Sequence, residues 1–124
     1  MTIGEIAEKT GLPESTLRYY EKKGLISVAR DQGGRRDYGE SDIEWIRFIQ
    51  RLKETGMQLA DIRRYSELRY QGKGTMPERM EILQRHREYV VEQLGRWQEY
   101  LQNLDDKIAF YRESIEESHG RGGV

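Results

Sequence analysis

Residues 15–26, STLRYYEKKGLI, place an arginine and two tyrosines within one helical turn and follow them with a glycine. Pro13 and Glu14 suit the start of a helix, because the first turn needs no proline N–H and its positive end favours an acid. Gly24 suits the left-handed backbone position just after a helix. The stretch therefore predicts a short helix from about residue 14 to residue 23.

A second short helix is predicted just before this one. Thr2 and Glu5 have the spacing of a capping box, and apolar residues follow at helical intervals up to Gly11. Two short helices joined by a tight turn that contains glycine form a helix-turn-helix, which is the predicted start of the chain.

The two faces of helix 14–23 carry different kinds of side chain. Thr16 and Tyr20 share one face with Leu17 close by, and Tyr20 is interpreted mainly as a core residue. A buried arginine needs an acidic partner that the neighbouring sequence does not obviously supply. Arg18 and Tyr19 are therefore interpreted as contacts to phosphate. The side chains that can reach outward are Ser15, Arg18, Tyr19 and Lys22.

A basic β-hairpin is predicted after the helix-turn-helix, and the two together form a winged helix. Leu25, Ile26 and Val28 form a short β-type run, and DQGG at residues 31–34 is a hairpin-turn signal. Between residues 15 and 38 six Lys or Arg accompany three Asp or Glu, against a net charge of −1 for the chain. Such a surface can neutralise phosphates, although solvated faces often carry the same excess.

Two further helices complete the predicted head, residues 1–70. The third helix is expected at about residues 41–55 and the fourth at about residues 59–70, both as core helices that brace the wing. In the third helix the periodicity places Trp45 on the exposed side. A linker is expected at residues 71–75. The inward positions of the third helix are Ile43, Ile46, Ile49 and Leu52 or Phe48.

The remainder of the chain, residues 76–118, is predicted to be one helix of about 65 Å. Thr75 and Glu78 have capping-box spacing at its start. Apolar residues alternate by four and three along it, which is the heptad seam of a coiled coil. An apolar stripe of this length must be covered, so we expect the chain to form a homodimer. A disordered tail is expected after this helix, at residues 119–124. The expected dimerisation residues are Leu83, Val90, Leu94, Trp97, Leu101, Leu104, Ile108, Tyr111 and Ile115.

Composition narrows the class of protein. The 124 residues include no cysteine, which excludes disulfides, thiol-based sensing and cysteine zinc sites. No apolar run approaches the ~20 residues of a membrane span, and no signal-peptide pattern opens the chain, so we expect a cytoplasmic protein. No nucleophile–base pair, metal cluster or phosphate loop is recognisable, so we expect neither an enzyme nor a cofactor.

TIGEIAEKTGLPESTLRYYEKKGLI, followed by GRRDY, resembles the MerR family of bacterial transcription regulators. YGESDIEWIRFIQRLKETGMQLADI resembles that family's third and fourth helices. The resemblance covers about residues 2–70. It implies a mainly α fold, in which a winged helix-turn-helix head with a two-stranded β-wing precedes a long dimerising coiled-coil helix.

The family resemblance implies roles for individual residues. Thr16 and Arg18 lie where the family meets the major groove and its phosphates, Tyr19 matches a backbone-contacting tyrosine, and Arg36 and Tyr38 match wing positions that grip the flanking backbone. Lys53 lies where some members place another phosphate contact. The candidate DNA-binding residues are Ser15, Thr16, Arg18, Tyr19, Lys22, Arg35, Arg36, Tyr38 and Lys53.

The resemblance also implies a mode of action. Family members bind double-stranded promoter DNA as antiparallel coiled-coil homodimers at inverted repeats. They distort an over-long promoter spacer and so switch transcription by RNA polymerase, often in response to an effector.

The effector is the open point of this interpretation. The small aldehyde-responsive branch resembles the chain but keeps a cysteine where Arg51 stands, so a different, non-metal effector is expected. A repressor or architectural protein that needs no effector is the alternative. The candidate effector residues, for which plain packing is the competing interpretation, are Tyr65, Tyr70, His86, Tyr89 and Trp97.

Overall fold

The fold is mainly helical with one small antiparallel sheet, as the sequence predicts. A computed structural model describes the backbone of residues 1–122 and the side chains of residues 1–119. The chain divides into two compact units, residues 1–86 and residues from 87 onward. The elements are α1 (Ile3–Thr10), α2 (Glu14–Lys22), β1 (Ala29–Arg30), β2 (Arg36–Asp37), α3 (Glu40–Glu54), α4 (Leu59–Gln71), a 3-10 turn (Lys73–Thr75) and α5 (Met76–Gly122).

The helix-turn-helix begins and ends at the residues that the sequence indicates. Thr2 caps α1, and its hydroxyl oxygen accepts a hydrogen bond of 3.2 Å from the Glu5 amide. Gly11 and Gly24 follow α1 and α2 with φ angles of 73° and 75°, a left-handed conformation that other residues rarely adopt. The predicted cap at Thr2 and both glycine stops are confirmed. The Glu5 carboxylate accepts from the Thr2 hydroxyl at 3.3 Å, and not from the Thr2 amide as a full capping box requires.

The wing is shorter than the predicted β-type run. β1 and β2 pair antiparallel, with Ala29 opposite Asp37 and Arg30 opposite Arg36. Leu25 and Ile26 belong to neither strand. They are buried in the core at 0% and 4% exposure, so their hydrophobicity serves packing rather than strand pairing. The predicted turn is confirmed, since Asp31 Oδ1 accepts from the amides of Gly33 and Arg35.

The head core takes one or more fully buried residues from each of its four helices, such as Ile6, Leu17, Ile49 and Ile62. The expectation that Trp45 is exposed is wrong, because its side chain is 4% exposed. Its indole N–H donates to the Leu25 carbonyl at 2.9 Å, and the Ser66 hydroxyl donates to the same carbonyl at 2.6 Å. The segment after α2 thus packs against α3 and α4, and the periodicity of α3 alone does not reveal it.

The connection between α4 and α5 is ordered structure rather than a free linker. Residue 71 belongs to α4, and residues 73–75 form the 3-10 turn. The Thr75 hydroxyl donates to the Leu68 carbonyl at 2.6 Å, and its oxygen accepts from Arg79 Nε at 3.1 Å rather than from the Glu78 amide that its capping-box spacing predicts. Ile82 and Leu83 of α5 pack against the head core. The first compact unit therefore ends at residue 86, further along the chain than the predicted linker.

The second unit consists of the remainder of α5, which continues past the predicted end at Ser118 to Gly122. Of the predicted disordered tail, residues 119–122 are helical and residues 123–124 lie outside the described residues. Among the described residues, no helix combines the length and the apolar character that crossing a membrane requires.

Candidate nucleic-acid interface

The outward face of α2 exposes the polar residues that the sequence assigned to it. Ser15, Arg18 and Lys22 are exposed, and Thr16 is half-buried. Arg18 Nη2 lies 3.3 Å from Glu14 Oε2, one helical turn earlier, and both side chains are about half exposed. An exposed pair of this kind contributes at most about 1 kcal/mol, so a phosphate can displace the acid at little cost.

Tyr19 and two lysines form a mixed aromatic and cationic patch beside this face. Tyr19 is 41% exposed, and the ammonium groups of Lys23 and Lys53 lie 5.7 and 5.9 Å from its ring centroid. Lys53 also lies 5.0 Å from the ring of Tyr20. These contacts hold positive charge beside the Tyr19 ring, so that the aromatic side chain and the ammonium groups form one surface that can meet a phosphate.

Tyr20 is a core residue, as expected, because only 2% of it is exposed. Burial raises the pKa of the phenol, and the nearby Glu54 carboxylate and Tyr19 raise it further. Tyr20 therefore stays neutral at physiological pH and supports the patch from beneath.

The two strands of the wing bring their basic residues to one acidic residue of α2. Arg35 is exposed. Arg36 Nε lies 2.6 Å from Glu21 Oε2, and Arg30 Nη2 lies 2.9 Å from Glu21 Oε1. The hydrogen bond to Glu21 raises the pKa of Arg36. Arg36 is thus a wing residue with an acidic partner in its own chain.

Tyr38, predicted to grip the DNA backbone, is placed in the core instead. It is 2% exposed, and among the described residues its hydroxyl is a buried group with no hydrogen-bond partner. Burial also raises the pKa of this phenol. Its backbone pairs with Met1, whose carbonyl accepts from the Tyr38 amide at 2.8 Å. The side chain supports the wing from below and does not reach the surface.

We expect Tyr38→Phe to raise the free energy of unfolding by about 1 kcal/mol and to leave DNA binding unchanged. The reason is that the variant removes a hydroxyl group whose burial costs free energy without a compensating hydrogen bond. Chemical denaturation and a DNA titration measure the two quantities. A loss of DNA affinity without a loss of stability would restore the predicted contact to the DNA backbone.

Two of the candidate effector residues serve structural contacts in the first unit. Tyr65 stacks on Trp45 with ring centroids 5.5 Å apart and lies 5.9 Å from Phe48. Tyr70 accepts a hydrogen bond of 3.0 Å from the Ser27 amide. Tyr70 also lines an open groove of about 600 Å³, together with residues of the segment that follows α2.

The other three effector candidates lie along α5. His86 Nε2 is 2.7 Å from the Thr55 hydroxyl, next to the end of α3. Tyr89 and Trp97 belong to the second unit and are 44% and 69% exposed.

Glu21 is the residue that the sequence analysis did not assign to the interface. In the sequence, Glu21 is one of the three acidic residues that accompany six basic residues between residues 15 and 38. Nothing in its sequence position separates it from an ordinary surface acid, since its two partners lie 9 and 15 residues further along the chain.

A second candidate surface is the apolar seam of α5. Its described members in the second unit from Leu94 onward are between 52% and 69% exposed in the single chain. Leu83, also predicted in the seam, is half-buried and packs against the head core. The pairing of two such helices stays a prediction. The exposed members are Leu94, Trp97, Leu101, Leu104, Ile108, Tyr111 and Ile115.

Two family models match this chain, and together they span most of it. One, described as MerR HTH family regulatory protein, matches residues 1–68. The other, described as MerR, DNA binding, matches residues 43–107.

Individual relatives extend this likeness. An uncharacterized HTH-type transcriptional regulator of Haemophilus influenzae is 38% identical over 114 residues, which are 91% of this chain and 84% of that protein. The HTH-type transcriptional regulator AdhR of Bacillus subtilis is 40% identical over 93 residues, 74% of this chain and 66% of AdhR. The crystal structure of HiNmlR, a MerR family regulator lacking the sensor domain and bound to promoter DNA, has a TM-score of 0.79. Its sequence identity is 38%, and the alignment covers 90% of each chain.

Proposed function

The chain belongs to the MerR family of transcription regulators that bind promoter DNA, and we propose that it does so as a homodimer at an inverted repeat. We further propose that it distorts the promoter spacer and thereby switches transcription by RNA polymerase. The observation that carries this proposal is the combination of a basic patch on α2 with an apolar seam exposed along α5.

The head supplies the groups that a duplex requires. The α2 face offers Arg18 and Lys22, and the Tyr19 patch adds Lys23 and Lys53. Contacts of this type fix the orientation of a protein on the phosphate backbone, while side chains at the start of α2 can reach base edges in the major groove. Ser15 and Thr16 occupy that start, so they are the proposed base-reading residues.

The seam supplies the symmetry. Seven large apolar side chains at alternating spacings of four and three residues are more than half exposed in the single chain. A monomeric protein rarely exposes such a continuous apolar stripe to water. A second copy of the chain carries the same stripe, so the two stripes can cover each other. The expected partner is therefore the same chain, paired antiparallel as in the family, so that two heads meet two half-sites of an inverted repeat.

Spacer distortion is a consequence of binding both half-sites at once. B-DNA turns once per ~10.5 base pairs, so each surplus base pair in a spacer rotates the two promoter elements apart by about 34°. Bending and untwisting a site costs roughly 1–6 kcal/mol, which the phosphate contacts of two heads can offset. We propose that a non-metal effector shifts this balance. The HiNmlR structure is described as lacking the sensor domain, and it keeps open the alternative of a repressor that needs no effector.

A series of promoters with spacers of different length tests this function. Transcription by RNA polymerase in vitro is measured with and without the protein, and with and without cell extract as a source of effector. The templates carry the inverted repeat and a series of spacers that differ in length by single base pairs. We expect stimulation only on the longer spacers, because only these need realignment. Equal effects at every length would contradict spacer distortion, and transcription that stays unchanged when cell extract is added would favour the effector-independent alternative.

A further inference from the structure

The Glu21 carboxylate connects α2 to both strands of the wing. Its two oxygens accept from Arg30 of β1 at 2.9 Å and from Arg36 of β2 at 2.6 Å. Each oxygen therefore has its own guanidinium partner. The Glu21 side chain is 22% exposed, whereas the acids of the ion pairs within single helices are 45% to 62% exposed. Glu21 is thus the more sheltered of these acids, and a sheltered pair is screened less by salt.

The strand register explains why an acid is needed at this place. Arg30 and Arg36 lie directly opposite each other in the antiparallel pair. Like charges at opposite positions repel and destabilise a two-stranded hairpin, which is only marginally stable by itself. A carboxylate that bonds to both guanidinium groups removes this repulsion and fastens both strands to α2.

The same contact leaves the wing able to bind DNA. Glu21 engages Nε of Arg36 and Nη2 of Arg30. An arginine carries five N–H donors in a rigid plane, so each guanidinium keeps further donors beyond the one that Glu21 uses. Fixing one edge of the plane determines the direction in which the other donors point.

We propose that Glu21 is a positioning residue, which holds the wing in one orientation on α2 and partly cancels the positive charge of Arg30 and Arg36. Through both effects the protein discriminates its operator from other duplex DNA. This inference rests on the proposed use of the wing in DNA binding. Discrimination follows because non-specific binding depends on net positive charge, whereas operator binding depends on where the donors lie.

Two Glu21 variants separate charge from position. In Glu21→Gln the carboxylate charge is lost, which leaves two uncompensated arginines. In Glu21→Asp the charge is kept, but the side chain is one methylene shorter and cannot hold both guanidinium groups. Glu67→Gln is the matched control, because Glu67 borders the same groove as Glu21 but pairs at 3.2 Å with Arg63 on its own helix.

Binding is measured by titration at several salt concentrations with two probes. One is the inverted-repeat duplex that the wild-type protein selects from a random pool, and the other is a scrambled duplex of the same composition. We expect Glu21→Gln to bind the scrambled duplex about threefold to tenfold more tightly, with a steeper salt dependence, because more counterions are released. The ratio of operator to scrambled affinity should fall by a similar factor. Glu21→Asp should lose discrimination without the steeper salt dependence.

Several outcomes would overturn the inference. One is that Glu21→Gln keeps the wild-type ratio of operator to scrambled affinity and the wild-type salt dependence. Another is that Glu21→Gln loses affinity equally for both probes. A third is a change of the same size in Glu67→Gln. Thermal unfolding accompanies every titration, and if Glu21→Gln does not fold, the affinity ratio of Glu21→Asp decides. A wild-type protein that fails to prefer its selected duplex would contradict the proposed function itself, which is a different result.

Discussion

Leu101→Asp is expected to turn the proposed dimer into monomers and to weaken operator binding by about 10²- to 10⁴-fold, because the two heads no longer bind as one unit. Leu101 lies within the seam and is 57% exposed in the single chain. Pairing would bury it against the partner helix, and an ionised carboxylate resists burial without a partner. Analytical ultracentrifugation measures the mass, and a titration with the selected duplex measures the affinity.

A control for this variant lies two residues further along the same helix. Asn103→Asp adds the same charge at an exposed position outside the seam. We expect it to stay dimeric and to bind the operator like the wild-type protein. Loss of binding in both variants would point to charge repulsion from DNA rather than to dimer dissociation. A Leu101→Asp protein that keeps the dimer mass would show that the seam has a different function.

Arg18→Ala is expected to weaken operator binding by about 1–3 kcal/mol per half-site, hence at least about thirtyfold for two heads. The salt dependence should also become shallower by about one counterion per lost phosphate contact. Stability should change little, because the substitution removes an exposed ion pair to Glu14 at 3.3 Å, and such pairs contribute little to stability. The dimer mass should remain that of the wild-type protein.

Arg96→Ala is the matched control for this second prediction. Arg96 pairs with Glu92 at 2.9 Å in the same one-turn arrangement, and it is exposed to a similar degree as Arg18. The change in net charge is identical, so any difference between the two variants reports the position of Arg18. Equal effects of the two substitutions would mean that overall charge, and not the α2 face, governs binding.

Local features of the head could be predicted because their causes are local. The Thr2 cap depends on a residue three positions away, and the stops at Gly11 and Gly24 depend on the backbone freedom of one residue. The helical period of α3 likewise placed Ile46 and Ile49 in the core, where they are found. It left Leu52 or Phe48 as the fourth inward residue, and Leu52 is the one that is buried. The resemblance to the MerR family, which depends on this same stretch, is confirmed by the family models.

Three errors of the sequence analysis involve partners outside the element that was being predicted. Trp45 is buried because the Leu25 carbonyl, 20 residues earlier, accepts its indole N–H. Tyr38 is buried because the wing folds back over the head core. Thr75 binds the carbonyl of Leu68 in the preceding helix instead of capping its own helix. Neither periodicity nor capping rules contain this information, since both consider one element at a time.

The sequence by itself determined the order of the main helices and strands, the Thr2 cap, the glycine stops after α1 and α2, the turn at residues 31–34 and the regular apolar seam of α5. These follow from backbone preferences and spacing over a few residues. Only the tertiary structure decided that the Glu21 carboxylate binds both wing arginines. It also decided that the side chains of Tyr38 and Trp45 are buried in the head core. The physical reason is that burial and ion pairing depend on distances in space, and these are set only when α2, the wing and α3 pack together.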